Sequence, residues 1–352
     1  MEIREFLRGY RPDLESVQVA GNMAVVPLVA DQEFSTAVGD VDEVSLKKDI
    51  DYGTLCFENQ SGRVGIVLQG ATIITQQSAQ DRTVPRATIL KGKQVANVNA
   101  FCVQSSQGGY IKANQLTEEF GEESPYMIMP PTLRAHALVQ SDGGASGYSR
   151  LWNSLESYSG TFSGVRSSSA LKDIYAKYKD QLDEFVAQFE PVPNQLGAIV
   201  LIDGAVVAVD IMPTYQSWKR MWRALIRDSY GVEAVRTADA NKGTVFNYNL
   251  NIDDITDLDS LEVEMERATN NLTGAIRQQW NAIDKSSVTV KQTKAVAGVN
   301  LKDVSTDKFF GQAVIHDEHC VYLSLVPKGS RPGTGGKFTR RSRIYGNDDF
   351  SF

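Results

Sequence analysis

From about Gln18 to Val103 the apolar residues fall into short runs, VQVAGNMAVVPLV, GTLCFEN, RVGIVLQGATII and VANVNAFCV, divided by turn formers such as Asn59-Gln60-Ser61-Gly62. Runs of this length between turn residues predict strands. After about Ser146 the period lengthens. Leu171, Ile174, Tyr175, Tyr178, Leu182, Phe185 and Phe189 recur every three or four positions behind the candidate cap Ser168, predicting one amphipathic helix that ends before Pro191. GAIVLI and AVVAVDI then flank Asp203-Gly204, a dipeptide suited to the positive φ angles of a two-residue hairpin turn. A second helix, Thr214 to Arg227, places Tyr215, Trp218, Trp222 and Leu225 on one face and Lys219, Arg220, Arg223 and Arg227 on the other. A third runs from about Leu258 past Leu272, with Leu258, Leu261, Met265, Ala268 and Leu272 at helical spacing. FFGQAVI and CVYLSLV around His316-Asp317-Glu318-His319 predict a closing hairpin.

These patterns predict an α+β fold with mixed or antiparallel sheets. A β-rich half, residues 1–145, packs against a helix-containing α+β half, residues 146–327, within one extended domain. Residues 328–352 read as a basic, Gly-rich tail. If the halves had separate cores, the boundary would fall in the Gly-Ser segment from Ser141 to Gly147. No internal repeat is visible.

Composition narrows the function classes. With 352 residues, 42% apolar and 22% charged, the chain is neither collagen-like nor disordered. Thirty-six basic against 43 acidic residues give a net charge of −7, which disfavours broad attraction to nucleic acid or anionic membranes. Cys56, Cys102 and Cys320 are odd in number and lack paired spacing, which fits a reducing compartment. The start MEIREFLRGYRPDL is charged, and the run from Gly197 to Met212 is interrupted by Asp203-Gly204 and too short to span a bilayer. The expected location is cytoplasmic.

Few residues form a recognisable chemical motif. His316, Asp317, Glu318, His319 and Cys320 all carry metal-ligating groups. Side chains alternate faces along a strand, however, and no second ligand cluster completes a site. Asn251, Asp253, Asp257, Asp259 and Glu262 resemble a calcium loop only superficially, because Thr256 stands where the sharp turn needs glycine and Ile255 where an oxygen donor belongs. Those carboxylates instead suit the positive end of the third helix. No metal or cofactor is implied. Only His136 lies outside the closing hairpin, and neither a hydrolase elbow nor a phosphate-cradling GxxxxGK[ST] loop occurs. The basic face of the second helix reads as a solvated surface. In the tail, Arg340, Arg341 and Arg343 interleave with Phe338 and Tyr345, and Phe352 ends the sequence. Lys328, Arg331 and Lys337 complete six basic residues against Asp348 and Asp349, a local charge of +4 on an acidic chain. This composition predicts association with a second copy or a protein partner.

Several segments taken in order resemble a prokaryotic and viral family, the ADP-ribosylglycohydrolase- and rhodanese-phosphatase-associated domain. They are an apolar strand into Gly70, Gln80-Asp81-Arg82, the run NVNAFCVQ ending at Cys102-Val103-Gln104, a short helix with Trp152, and Ser167 to Leu171. The series continues through Gln195 to Val200, Val206 to Asp210, Trp218 to Tyr230 and the closing hairpin. Residues beyond Lys328, and Asp239 to Asp254, fall outside it. The resemblance implies a role linked to ADP-ribose or NAD metabolism, or to conflict between viruses and hosts. It points to an ADP-ribose-type nucleotide held by Gln80, Arg82, Cys102 and Gln104, with Asp210 as the matched carboxylate. The family's acidic positions after the strand glycine and after Cys-Val are occupied here by Ala71 and Gln104. A binding or scaffolding protein is therefore the first expectation. An enzyme acting on an ADP-ribose derivative and a structural subunit of a homo-oligomer are the alternatives.

Overall fold

The computed structural model of the chain describes residues 2–47, 53–74, 81–103, 126–141, 150–165, 170–240 and 255–329. A short helix α1 (Ile3–Phe6) precedes strands β1 (Arg11–Pro12), β2 (Gln18–Ala20) and β3 (Met23–Val29). Short strands follow: β4 (Val44–Leu46), β5 (Thr54–Asn59), β6 (Gly65–Val67), β7 (Ala71–Ile73), β8 (Arg82–Thr83), β9 (Thr88–Leu90), β10 (Val95–Asn99), β11 (Phe101–Cys102) and β12 (Met127–Ile128). Helices α2 (Pro131–Ser141), α3 (Arg150–Ser159), α4 (Leu171–Lys177) and α5 (Lys179–Gln188) lead to β13 (Gln195–Ile202) and β14 (Ala205–Ile211). Helix α6 (Tyr215–Arg223) continues through a π-helical segment (Ala224–Gly231) into α7 (Val232–Ala240). Helix α8 (Leu258–Asp284) and strands β15 (Thr289–Val296), β16 (Val299–Ser305), β17 (Phe309–His316) and β18 (His319–Pro327) follow. The fold is mixed α+β with antiparallel sheets.

A nine-stranded sheet in the order β1-β3-β13-β14-β18-β17-β16-β15, with β2 also on β3, draws strands from both ends of the sequence. Its central strand β13 is buried throughout, as expected of an uninterrupted apolar run covered on both faces. Alternation sorts its side chains between two cores. Ala198, Val200 and Ile202 join small-sheet residues such as Phe57, Ile66 and Ile89 and the helical Trp218 and Trp222. Ile199 and Leu201, and past the register irregularity between Gln195 and Gly197 also Leu196, face the other side, where Ile3 and Phe6 of α1 and Ile276 and Ile283 of α8 cover the sheet. A third core forms among α2, α3, α4 and α5 around Leu133, Leu155, Tyr158 and Leu182.

The Asp203-Gly204 turn has φ of 53° and 74°, the positive pair that matches strand twist in a two-residue hairpin. The closing turn repeats the device with Asp317 and Glu318 at 46° and 67°. Two helices differ from expectation. The segment from Leu171 breaks at Tyr178, whose φ of −107° and ψ of 19° separate α4 from α5. Tyr178 sends its hydroxyl to Ser163 O at 2.8 Å and Asp239 Oδ2 at 2.6 Å. The cap Ser168 lies outside the described residues. The helix after Thr214 outruns Arg227 because the backbone widens into the π-helical segment and resumes as α7.

Candidate functional site

Strand pairing assembles a row of polar residues on the face of the large sheet beneath α2. Asp210 of β14 stands opposite Ser324 of β18, Ser324 opposite Gln312 of β17, and Gln312 opposite Asp303 of β16. Asp210, Ser324 and Gln312 interrupt largely apolar stretches of their strands, and pairing makes them contiguous with Asp303 of the more polar β16. Helix α2 lays Arg134 over the inner end of the row. Its Nη1 and Nη2 donate to Asp210 Oδ1 and Oδ2 at 2.8 and 2.9 Å, and Nη1 also donates to Ser324 Oγ at 2.8 Å. Tyr230, from the π-helical segment, donates its hydroxyl to Asp210 Oδ2 at 2.6 Å. At the outer end Gln312 donates to Asp303 Oδ1 at 3.0 Å and accepts from Ala87 N at 2.6 Å, while Arg86 pairs with Asp303.

The inner pair is sealed, with Arg134 and Asp210 side chains 1% and 2% exposed. Burial opposes the guanidinium charge, but Asp210 overcomes it and holds Arg134 protonated. Burial, then the Asp210 charge, raises the Tyr230 phenol. Gly70, at φ +77°, is required here. A Cβ at that position would sit 2.8 Å from Arg134 Cδ, so another residue would push the turn before β7 off the arginine. Both oxygens of Asp210 are engaged by Arg134 and Tyr230. An acid or base must present a free proton position to a substrate, whereas this carboxylate joins helix to sheet.

Arg82 and Cys102 are brought together directly, as cross-strand partners of β8 and β11. Both are buried, Arg82 donating Nη1 to Thr54 O at 3.0 Å. Burial raises the Cys102 thiol against the pull of Arg82, leaving little of the thiolate that reactive cysteines need. The neighbouring chain positions are tied by Val103 N donating to Asp81 O at 2.8 Å. Gln80 and Gln104 lie outside the described residues. Asp210 belongs to a different sheet, but the clusters adjoin: Thr72 Oγ1 lies 2.8 Å from Gly70 O and 2.9 Å from Thr83 Oγ1. Ala71, standing where the resemblance calls for an acid, is buried opposite Ile128.

Glu233 and Asp228 are buried carboxylates that escaped the sequence reading. Glu233 accepts from Thr132 Oγ1 at 2.8 Å, Tyr158 OH at 3.0 Å and Arg236 Nε at 2.9 Å. Asp228 accepts from Arg227 Nη1 at 2.7 Å, and Arg227 Nε also donates to Asp183 Oδ1 at 2.6 Å. Burial pushes Asp228 up to about 6 against the pull of Arg227. Asp183, despite the upward effect of partial burial, is held at about 2 by Lys179 and Arg227. The π-helical segment places Asp228, Ser229 and Tyr230 consecutively in the interior, with Ser229 Oγ donating to Met129 O at 3.0 Å. The wider turn lets neighbouring side chains reach different partners.

The remaining candidates take structural places. Across the closing turn His316 pairs with His319, so these two share a face, while Cys320 stands opposite Ile315. Alternation along each strand therefore did not separate the two histidines. His316 Nδ1 lies 3.0 Å from Ser35 Oγ, and His319 stacks on Phe34 at 4.8 Å. Burial pushes the Cys320 thiol up to about 12. Among the described residues no group of three or more His, Cys, Asp or Glu is placed to hold a metal ion. Asp257 caps α8 by accepting from Ser260 N at 2.8 Å, with Asp259 in the first turn. Arg223 and Arg227 from the basic helix face engage Asp183. No described helix is long and apolar enough to cross a membrane. Lys328 is still fastened to the sheet, its N–H donating to Lys308 O at 2.7 Å. Arg340, Arg341, Arg343, Tyr345 and Phe352 lie outside the described residues.

No curated protein and no solved structure matches the chain. The sequence profile described as the ARG and Rhodanese-Phosphatase-superfamily-associated Protein domain matches residues 11–326, from β1 into β18. With the match covering nearly the whole described fold, the chain belongs to that family.

Proposed function

We propose that the protein is a binding or scaffolding member of this family, acting through association rather than turnover. One observation carries the reading: the matched carboxylate, Asp210, has both oxygens bound inside the protein by Arg134 and Tyr230. The other matched groups point the same way, since Arg82 and Cys102 are buried against each other. The family's name associates it with the ADP-ribosylglycohydrolase and rhodanese-phosphatase superfamilies, so ADP-ribose-type nucleotides are the ligands to try. Association runs through the basic, aromatic segment after Gly329, to a second copy or a protein partner.

The test has two arms. The full chain is incubated with NAD, ADP-ribose and an ADP-ribosylated protein, and products are separated by chromatography. Its mass is followed by light scattering across a salt series. The expected result is no product and a mass above the 38.7 kDa monomer that falls as salt screens the charges. Turnover lost in Asp210→Asn and kept in the surface control Asp31→Asn would overturn the reading.

A further inference from the structure

The segment from Asp31 to Thr36, which leaves β3, is fastened to the closing hairpin. Main-chain bonds hold both of its flanks, with Ala30 N donating to Asn194 O at 3.3 Å and Val64 N donating to Ala37 O at 2.8 Å. Between them, among the described residues, side chains make the contacts. Glu33 Oε1 accepts from Tyr215 N, at the start of α6, at 2.9 Å. Two further contacts reach the hairpin, and both end on histidine. Phe34 stacks on His319, with ring centroids 4.8 Å and planes 15° apart, and Ser35 Oγ lies 3.0 Å from His316 Nδ1. The chain has three histidines, and this segment engages two of them.

Phe34 has a built seat. It packs against the core on each face of the large sheet, and Tyr10 meets its ring edge-on at 4.9 Å. Tyr10 in turn donates its hydroxyl to Cys320 O at 2.6 Å, so the ring that steadies Phe34 is itself bonded to the hairpin. Gly9, at φ +92°, makes the room, since a Cβ there would lie 2.5 Å from Phe34 Cζ.

The protonation state of the histidines decides whether these contacts suit one another. A neutral imidazole carries one N–H and one bare nitrogen, whereas the cation carries two N–H groups. Ser35 Oγ accepts from Ala37 N at 3.1 Å, which leaves its own proton for the bare Nδ1 of a neutral His316. His319 Nδ1 is buried without a hydrogen-bond partner among the described residues. A bare nitrogen tolerates that place better than a charged N–H does. His319 also stands directly opposite His316, so two cations there would repel. Asp317 Oδ2, 3.6 Å from His316 Nδ1, favours a charge on His316 rather than on His319, although at 83% exposure it is screened. The other charged groups on the elements that meet here are Glu318 in the turn, Asp31 and Glu33 on the segment, Arg8 beside Gly9, and Lys302 of β16. Tyr10 and Cys320 stay neutral, because burial raises both, the thiol to about 12. The face of Phe34 attracts a cation, but it offers the His319 Nδ1 proton no acceptor.

We propose that residues 31–36 form an acid-released strap, closed on the hairpin while His319 is neutral and lifted from it when His319 takes up a proton. The change is local, since the bonds at Ala30 and Ala37 keep the flanks in place. It stands apart from the association reading and uses none of its residues.

The test places para-fluorophenylalanine at Phe34 in the full chain. Its fluorine resonance is followed from about pH 8 to about pH 5.5, across the range in which histidines change charge. Histidine ring protons report protonation in the same samples, and circular dichroism reports the fold. The fluorine line is expected to leave its stacked position with the same midpoint as the His319 ring. His319→Phe keeps a ring for Phe34 to stack on and has no proton to take up, so its line is expected to stay in place. His316→Asn is expected to keep the transition. A line that does not move, a midpoint that differs from that of His319, or equal movement in His319→Phe overturns the proposal. So does loss of the transition in His316→Asn, or a shift that appears only as the dichroism signal collapses.

Discussion

The polar row beneath α2 and the amino-terminal end of α8 invert the usual distribution in opposite senses. In the first, an arginine and an aspartate sit where a core has aliphatic groups, at 1% and 2% exposure. In the second, Leu258 and Met265 are exposed on a helix surface otherwise rich in charge. The buried polar groups are nearly consumed by one another, with Arg134 Nε and Gln69 Oε1 the unpartnered side-chain atoms nearby. Interior polarity that is satisfied internally fixes one alignment of helix and sheet. Neither arrangement resembles a reactive centre.

The contrast breaks most visibly at Arg134. Replacing it with methionine leaves Asp210 buried with Tyr230 as its remaining charge-compensating contact. The expected cost is about 3–5 kcal/mol, the range for stripping one partner from a buried ion pair. Urea unfolding measures it. The paired substitution Arg134→Met with Asp210→Leu should cost less than Arg134→Met alone, because the stranded charge goes too. If the single change costs under about 1 kcal/mol, water or a neighbouring group already serves the carboxylate, and Asp210 becomes available for chemistry after all.

Local parts of this design were legible in the sequence, and its assembly was not. Asp203-Gly204 announces its hairpin because few dipeptides tolerate two positive φ angles. The tryptophan stripe of α6 and the leucine stripe of α8 are periodic enough to read. Asp210, Gln312 and Ser324 each appear in the sequence as a lone polar residue in a strand, and register alone makes them a row. That register depends on an irregularity between Val314 and Ile315 in the β17–β18 pairing. Counted back from the turn without it, Gln312 would face Leu323, whose side chain lies in the opposite core. Arg134 was equally hidden, since a helical arginine ordinarily extends to solvent. The π-helical segment has no composition signature, so the inward turn of Asp228 and Tyr230 had to be seen in three dimensions.

Asp228 refines the first half of the contrast, because it is as buried as Asp210 but less fully matched. It shares Arg227 with Asp183 and sits at about 6. A carboxyl raised above its unfolded value binds its proton more tightly when folded. Its contribution to stability is therefore fully present below about pH 4 and is lost as pH rises through about 6. Asp183, held at about 2, acts in the opposite sense, losing its contribution as pH falls from about 4 towards 2. Asp228→Asn should flatten the decline in unfolding free energy between pH 4 and 7 while leaving the acid limb in place. An unchanged slope in that range would mean that Asp228 is fully compensated, and burial without saturation would cease to distinguish it from Asp210.

The smallest effect tests the second half of the contrast. Leu258 and Ile276 share the α8 stripe, yet one is 81% exposed and the other 2%. Ile276→Ala removes methyl groups from the packed core against the sheet and should cost about 2–5 kcal/mol. Leu258→Ala should change monomer stability by no more than about 0.5 kcal/mol, because no described contact is lost and alanine favours the helix. Denaturant melts of both variants, run in high salt where association is weakened, measure the difference. A cost for Leu258→Ala approaching that of Ile276→Ala would show that the stripe is already covered within one chain. That end of α8 would then be core rather than surface.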